Sequence, residues 1–440
     1  MRKIESKLYR WAFMLVLIWS FMGFTYWSFA ATVHLTPESD ELRDGVLGDE
    51  FAGDVVVLGP GAYEYFEVRA AMEVRGDRDA VVSGLSVRAE DVRLTGFKVS
   101  APDGKGVTLA PNQASRLKMG SIELEGGGPD GAGSPANDLV YVNPGNHGVE
   151  IGNCNFHDTG RTMIKGNGSH DWYIHNTTFA RNESVGAPNP QHSQAISAGA
   201  GSHCHRWTLI DNDFVDIEGT GVVNGVGNEW RVIGNSFTAT PDWSVSMTIG
   251  GWTGFPCHDW VVAHNTVVGG GYRQGVMFPP GSTGNVAVNN LFLNGKHVVH
   301  SGLATQEGNG YYGWTGKFVG IENELILLND PLNEFGVPRW KTPGLPNQPG
   351  AEVPDRQGLY REIPSMGAIE FPGEPTPTPT ATGTKPPTPT PTAGLLPRYL
   401  GEYNTVGGPL GVWAIPDKDY VGSYRALLIP RKDGDEEPLQ

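Results

Sequence analysis

Cysteine is scarce in this chain, charge is sparse and helical periodicity is missing. The 440 residues hold three cysteines, Cys154, Cys204 and Cys257. An odd count leaves at least one thiol unpaired, and no Cys-x-x-Cys pair suggests a zinc site. Charged residues make up 18%, and the 32 basic ones are outnumbered by 48 acidic, for a formal net charge of −16. That deficit of positive charge argues against nucleic acid and against an anionic membrane surface as partners. Glycine (61) and proline (33) are abundant instead, which suits a turn-rich, all-β chain.

What fills the middle of the chain is a six-fold repeat: 149–156 (VEIGNCNF), 172–179 (WYIHNTTF), 207–214 (WTLIDNDF), 230–237 (WRVIGNSF), 260–267 (WVVAHNTV) and 285–292 (NVAVNNLF). Their terminal apolar residues, Phe156, Phe179, Phe214, Phe237, Val267 and Phe292, step by 23, 35, 23, 30 and 25. Such periods mark a solenoid, propeller or array. A short β-branched and aromatic run, then Asn, then an apolar residue, then Gly-rich polar sequence reads as one coil of a single-stranded parallel β-helix.

Equal phase in successive coils means equal place on the wall, so the repeat predicts columns of like residues about 4.8 Å apart. Trp172, Trp207, Trp230 and Trp260 form one. It would be a packing ladder, or a platform on which sugars stack. His170, His205, Asn228 and His258, two residues earlier, would serve a turn, line a groove or bind a metal. Asn212, Asn235, Asn265 and Asn290 precede the terminal apolar residue by two. Asn tolerates left-handed backbone at a corner, and its amide can bond the coils on either side. Cys204 and Cys257 lie two coils apart, about 9–10 Å, beyond the roughly 7 Å that a disulfide allows.

The ends differ from the middle. Lys3, Lys7 and Arg10 precede an apolar run from Trp11 to about Trp27, and Ser28-Phe29-Ala30 follows. Residues 1–30 therefore read as a secretory signal, or as an uncleaved anchor. The segment 53–63 (GDVVVLGPGAY) is a strand and a Pro-Gly turn, and 71–99 supplies the first coils. Residues 101–146 are Gly- and Pro-rich and read as including a loop thrown out of the solenoid. The β-helix is assigned to 36–371, its last stretch as capping. Residues 373–393 (GEPTPTPTATGTKPPTPTPTA) form a Thr-Pro linker, extended and unable to bury a core. Residues 394–440 are a small segment of open role, and the whole reads as a monomer.

The repeats with I-x-N-x-F (210–214 and 233–237), the opening GDVVVLGPGAY, and the pair 355–361 (DRQGLYR) and 366–370 (MGAIE) resemble the right-handed parallel β-helix proteins of the pectin-lyase-like superfamily, including the alginate lyase and chondroitinase B type. The resemblance spans about 36–371. It implies a secreted or cell-surface β-helix that binds an extracellular polysaccharide and, if catalytic, cleaves it by β-elimination. Non-catalytic surface and adhesive members of the superfamily are the alternative.

Elimination from a uronate needs a cation to neutralise the sugar carboxylate, a base for the proton beside it, and an acid for the leaving oxygen. The resemblance points to a Lys and an Arg on the outer wall. Arg161 and Lys165 are four apart (RTMIK), a spacing that in a strand puts both on one face. Lys165 is read as base and Arg161 as carboxylate clamp, against the plainer reading of two solvated charges. If Ile164, Ile196 and Val223 are equivalent, Ser197 and Asn224 extend Lys165 into a polar, substrate-binding column. His192 and Gln194, near His203 and His205 (PQHSQAISAGAGSHCH), would add a general base and a groove-lining amide. Residues 149–300 hold 11 acidic and 7 basic side chains, so a polyanion would need help. Either no cofactor is used, or Ca²⁺ binds at the densest carboxylates, Asp211, Asp213, Asp216 and Glu218 (DNDFVDIE).

Overall fold

The computed structural model describes residues 30–326 except 103–104, 128–137, 183–192, 200–201, 220, 240–245, 252–253, 270–272, 314–317 and 320–324, together with strands at 398–405, 408–416 and 424–430. The expected signal at 1–30, save Ala30, and the linker at 373–393 lie outside the described residues, as does the capping stretch beyond 326.

The described chain winds as a parallel β-helix. Three sheets of 12 strands each run its length, and every strand pairs in parallel with the strand one coil away. A coil visits the first sheet, then the second, then the third: Tyr173–His175, Thr178–Asn182, Ile196–Ala198, and on to Thr208–Ile210 above the start. Each eight-residue repeat in the sequence is thus the first-sheet strand, a corner and the opening of the second-sheet strand. The solenoid begins at Thr32, ahead of 36. The described part of 101–146 carries wall strands Val107–Leu109, Lys118–Gly120, Glu123–Glu125 and Val140–Val142, and the expected loop falls with 128–137 outside the described residues. Their inward corner positions carry Leu117 and Ile122 where later coils carry Trp and Asn, so the repeat passes unnoticed there.

Alternation sends every second side chain inward, and stacking coils bring like onto like. Trp172, Trp207, Trp230 and Trp260 are fully buried. Their rings stack face to face at 4.5, 4.9 and 4.4 Å. That corrects the sugar-platform reading: the column is core. Three of the indoles donate to the carbonyls of Ser169, Cys204 and Gly227. Space for the rings comes from Gly166 and Gly225, where a Cβ would approach Trp207 and Trp230 to 2.8 Å. Phe156, Phe179, Phe214 and Phe237 make a second stack. All three cysteines are buried and free.

The Asn column is also interior. Asn212, Asn235, Asn265 and Asn290 are buried, and the left-handed residue is the one before: Asp211, Gly234, His264 and Asn289, with φ of 55°, 68°, 56° and 54°. The Oδ1 of each Asn from 235 on accepts the backbone N–H of the previous member at 2.9–3.0 Å. Each Nδ2 reaches back to a carbonyl of the preceding coil, Ile174, Leu209, Val232 and Val262 in turn. The groups that the corner removes from the sheet ladder are thereby satisfied.

The His column holds another corner. Nδ1 of His170 accepts the backbone N–H of His205, and Nδ1 of His205 that of Asn228. The Oδ1 of Asn228 serves His258, and Nδ1 of His258 serves Thr283. A neutral ring accepting at Nδ1 carries its proton on Nε2, so neither nitrogen is left as a metal ligand. Of residues 394–440, three strands are described, Arg398–Thr405, Gly408–Pro416 and Tyr424–Pro430, pairing as an antiparallel meander.

Candidate functional site

The third sheet positions the candidate site. Its strands pair Val140–Val142 with Ile164–Gly166, then Ile196–Ala198, then Val223–Gly225. The central residues Tyr141, Lys165, Ser197 and Asn224 fall in one register on the outer face, because their neighbours on either side are buried. Lys165 is partly exposed, Ser197 nearly buried and Asn224 partly exposed.

Arg161 reaches this column by a route that strand spacing does not describe. It lies in the bend between Asn155–Thr159 and Ile164–Gly166, so the four-residue spacing does not place it on Lys165's face. What joins the two is Asp138, two residues before Val140 in the coil below. The Asp138 carboxylate has Arg161 Nε at 3.4 Å and Lys165 Nζ at 3.9 Å. A third cation comes from the coil below that. Lys105 lies with its Nζ 3.7 Å from the centroid of the Tyr141 ring, a cation–π contact. Burial pushes the Asp138 carboxyl above the usual carboxylate range, and the charges of Lys165, Arg161 and Lys105 oppose that shift. Asp138 and Lys105 escaped the sequence reading. The usable signal was phase: an Asp two residues ahead of the strand Val140–Val142 stands where Thr162 and Gln194 precede the next two strands.

That same phase overturns the expectation for Gln194. The position is inside the wall, and Gln194 is 1% exposed, with its backbone carbonyl accepting from Met163 and Asn182. It cannot line a groove. His192 lies outside the described residues. His203 and His205 stack on each other at the His corner.

The acidic run does not converge on a cation. Asp211 sits at a left-handed corner, Asp213 pairs between Thr178 and Ser236 in the second sheet, and Asp216 occupies a second left-handed position. Glu218 follows the strand, its N–H bonded to Asn182 O. Extended chain advances about 3.3 Å per residue, so a cluster in sequence is spread along the wall. The expected Ca²⁺ set is therefore not formed by these four. Among the described residues, the ligand-type group that does gather is Glu125, His157 and Asp158. Lys98 and Arg181 already neutralise its carboxylates, at 2.7 and 2.6 Å.

No family model and no curated protein matches the chain. Among solved structures it is similar to a PL6 family polysaccharide lyase from Pseudopedobacter saltans, at 14% identity over 77% of this chain and 100% of that one, with a TM-score of 0.43. So distant a likeness is no argument for a shared activity.

Proposed function

We propose that the chain is a secreted or cell-surface β-helix protein that binds an acidic extracellular polysaccharide along the outer face of its third sheet. One observation carries this reading. In a chain of net charge −16, Lys105, Arg161 and Lys165 gather around a single buried acid, beside a polar column that crosses successive coils. Three cations against one carboxylate leave a local positive excess that suits the carboxylate of a uronate. Tyr141, Ser197 and Asn224 offer a ring and hydrogen-bonding groups to neighbouring sugars. The apolar run after Lys3, Lys7 and Arg10 supports export.

β-Elimination is the reaction these residues would serve. Arg161 would neutralise the sugar carboxylate, and Lys165, a cation at rest, would first give its own proton to solvent and then, as the neutral amine, take the adjacent proton. That electron pair would form the ring double bond as the bond from the ring carbon to the glycosidic oxygen breaks, and the Lys165 ammonium would return its proton to the leaving oxygen. The test is the ultraviolet absorbance of an unsaturated uronate, followed with the full chain on alginate, pectate, chondroitin and a neutral glycan. A rise on one acidic glycan, reduced roughly 10²-fold or more by Lys165→Ala with the melting temperature unchanged, is the expected result. Binding without a rise would make the protein a non-catalytic adhesive β-helix. No binding to any acidic glycan would end the reading.

A further inference from the structure

Asp138 is the one Asp, Glu, Lys or Arg that is buried among the described residues. Burying a carboxylate is costly unless close partners compensate it, yet its Oδ1 makes no hydrogen bond. Its two ion pairs are loose, at 3.4 and 3.9 Å. The other Lys and Arg pairs among the described residues close to between 2.5 and 3.1 Å. Arg206 on Asp171 is at 2.5 Å, Arg181 on Asp158 at 2.6 Å, Lys118 on Glu150 at 2.8 Å and Arg88 on Glu67 at 3.1 Å. Charge-assisted hydrogen bonds lie near 2.7–2.9 Å. Arg161 and Lys165 are thus held by Asp138 without being fully engaged by it, and their N–H donors remain available. Lys105, also within its field, rests on the face of Tyr141 instead.

Resting on the functional reading above, we infer that Asp138 is a positioning residue: it gathers Lys105, Arg161 and Lys165 as a stand-in counter-ion, and the carboxylate of an acidic sugar takes those cations over from it. Asp138 offsets the mutual repulsion of three cations that the wall holds close, and without it that repulsion would be left for an incoming carboxylate to relieve. With a tight pair, they would be spent. A buried and loosely paired acid meets both requirements. It also makes Asp138 a competitor of the ligand, so removing its charge alone should strengthen binding. A residue that merely held the fold would do the opposite.

The experiment is calorimetric titration of the full chain with oligogalacturonate and with alginate oligosaccharides, and with cellohexaose as the neutral control, at low and at raised salt. Asp138→Asn keeps the shape and removes the charge. It should bind whichever acidic oligosaccharide the parent binds roughly tenfold more tightly at low salt, with a steeper loss as salt rises. Cellohexaose binding should not move. Unchanged or weaker acidic binding by a folded Asp138→Asn chain would overturn the inference. Lys105→Met guards against a variant that fails to fold, because Lys105 is exposed and its loss cannot open the core. It should weaken acidic binding severalfold, and unchanged binding would overturn the shared cradle. Parent protein that binds neither acidic oligosaccharide takes down the functional reading and this inference with it. Parent binding that is lost in Lys165→Ala but indifferent to Asp138→Asn takes down this inference alone.

Discussion

A single buried amide shows how much one side chain carries in a solenoid. Asn235 Oδ1 accepts the backbone N–H of Asn212, its Nδ2 donates to the carbonyls of Leu209 and Ile233, and its own N–H donates to Asn265 Oδ1. Replacing it with Leu keeps the volume and takes a partner from three backbone groups, of which Ile233 O keeps the N–H of Asp211. Each such orphan costs about 1–3 kcal/mol, so Asn235→Leu should destabilise the protein by roughly 3 kcal/mol, read as a lower midpoint in urea. Asn212→Leu should behave alike, since the column repeats the geometry. A conservative change at an exposed Asn on a strand's outer face, such as Asn155, should stay within about 0.5 kcal/mol. The sequence spacing identified this column and its bonds between coils. It did not reveal that the strained backbone belongs to the preceding residue, because Asp211, Gly234, His264 and Asn289 share a conformation without sharing a chemistry.

The corner is the element that these columns build, and it makes the fold sensitive to acid. His170 and His205 accept backbone N–H groups at Nδ1, so protonating that nitrogen breaks the bond between coils. Burial lowers the pKa of both rings. Around His170, Arg206 and His147 lower it further while Asp171 raises it, and around His205, His170, His203 and Arg206 lower it while Glu229 raises it. The buried His300 follows the same rule, pushed down to about 4 by desolvation. The unfolded chain takes up these protons near the ordinary pKa of about 6.5 and the folded chain only below it, so stability falls as pH drops through that window. Asn228 does the same work in the same column with an amide oxygen. His205→Asn should therefore melt within about 1 kcal/mol of the parent at neutral pH and above the parent near pH 5, with thermal melts at the two pH values as the check. Equal losses at both would refute the ladder's role. The corner also explains what sequence could not supply at the site. Arg161 and Asp138 meet through a bend and a stacking of coils separated by residues 139–160, and no local spacing encodes that.

At the scale of the whole molecule the unit is the coil, and the molecule should tolerate loss of a coil better than loss of a residue. The six copies made the architecture legible because each column reports on the same place in the wall. Coils built with Leu117 and Ile122 were not legible, because plain apolar residues at those places carry no signature. In a solenoid each repeat contacts only its neighbours. Deleting residues 207–229 joins Arg206 to Trp230, removing 23 residues, the step from Phe214 to Phe237. Trp172 then meets Trp230, Thr177 meets Asn235, Phe179 meets Phe237, and Ile196–Ala198 meets Ser246–Gly251. Asp138, Arg161 and Lys165 keep their places. Deleting Val232 alone removes one residue from the strand Arg231–Ile233. It pulls Asn235 and Phe237 out of register, since a shift of one turns each inward side chain outward. The 23-residue deletion should retain the parent's strand signal by circular dichroism and a cooperative melt, with Asn224's contribution to glycan binding gone and the Lys165 site intact. The one-residue deletion should lose about 4 kcal/mol or more, the scale at which buried networks break, and fail to melt cooperatively. The reverse order would mean that the wall is not assembled coil on coil.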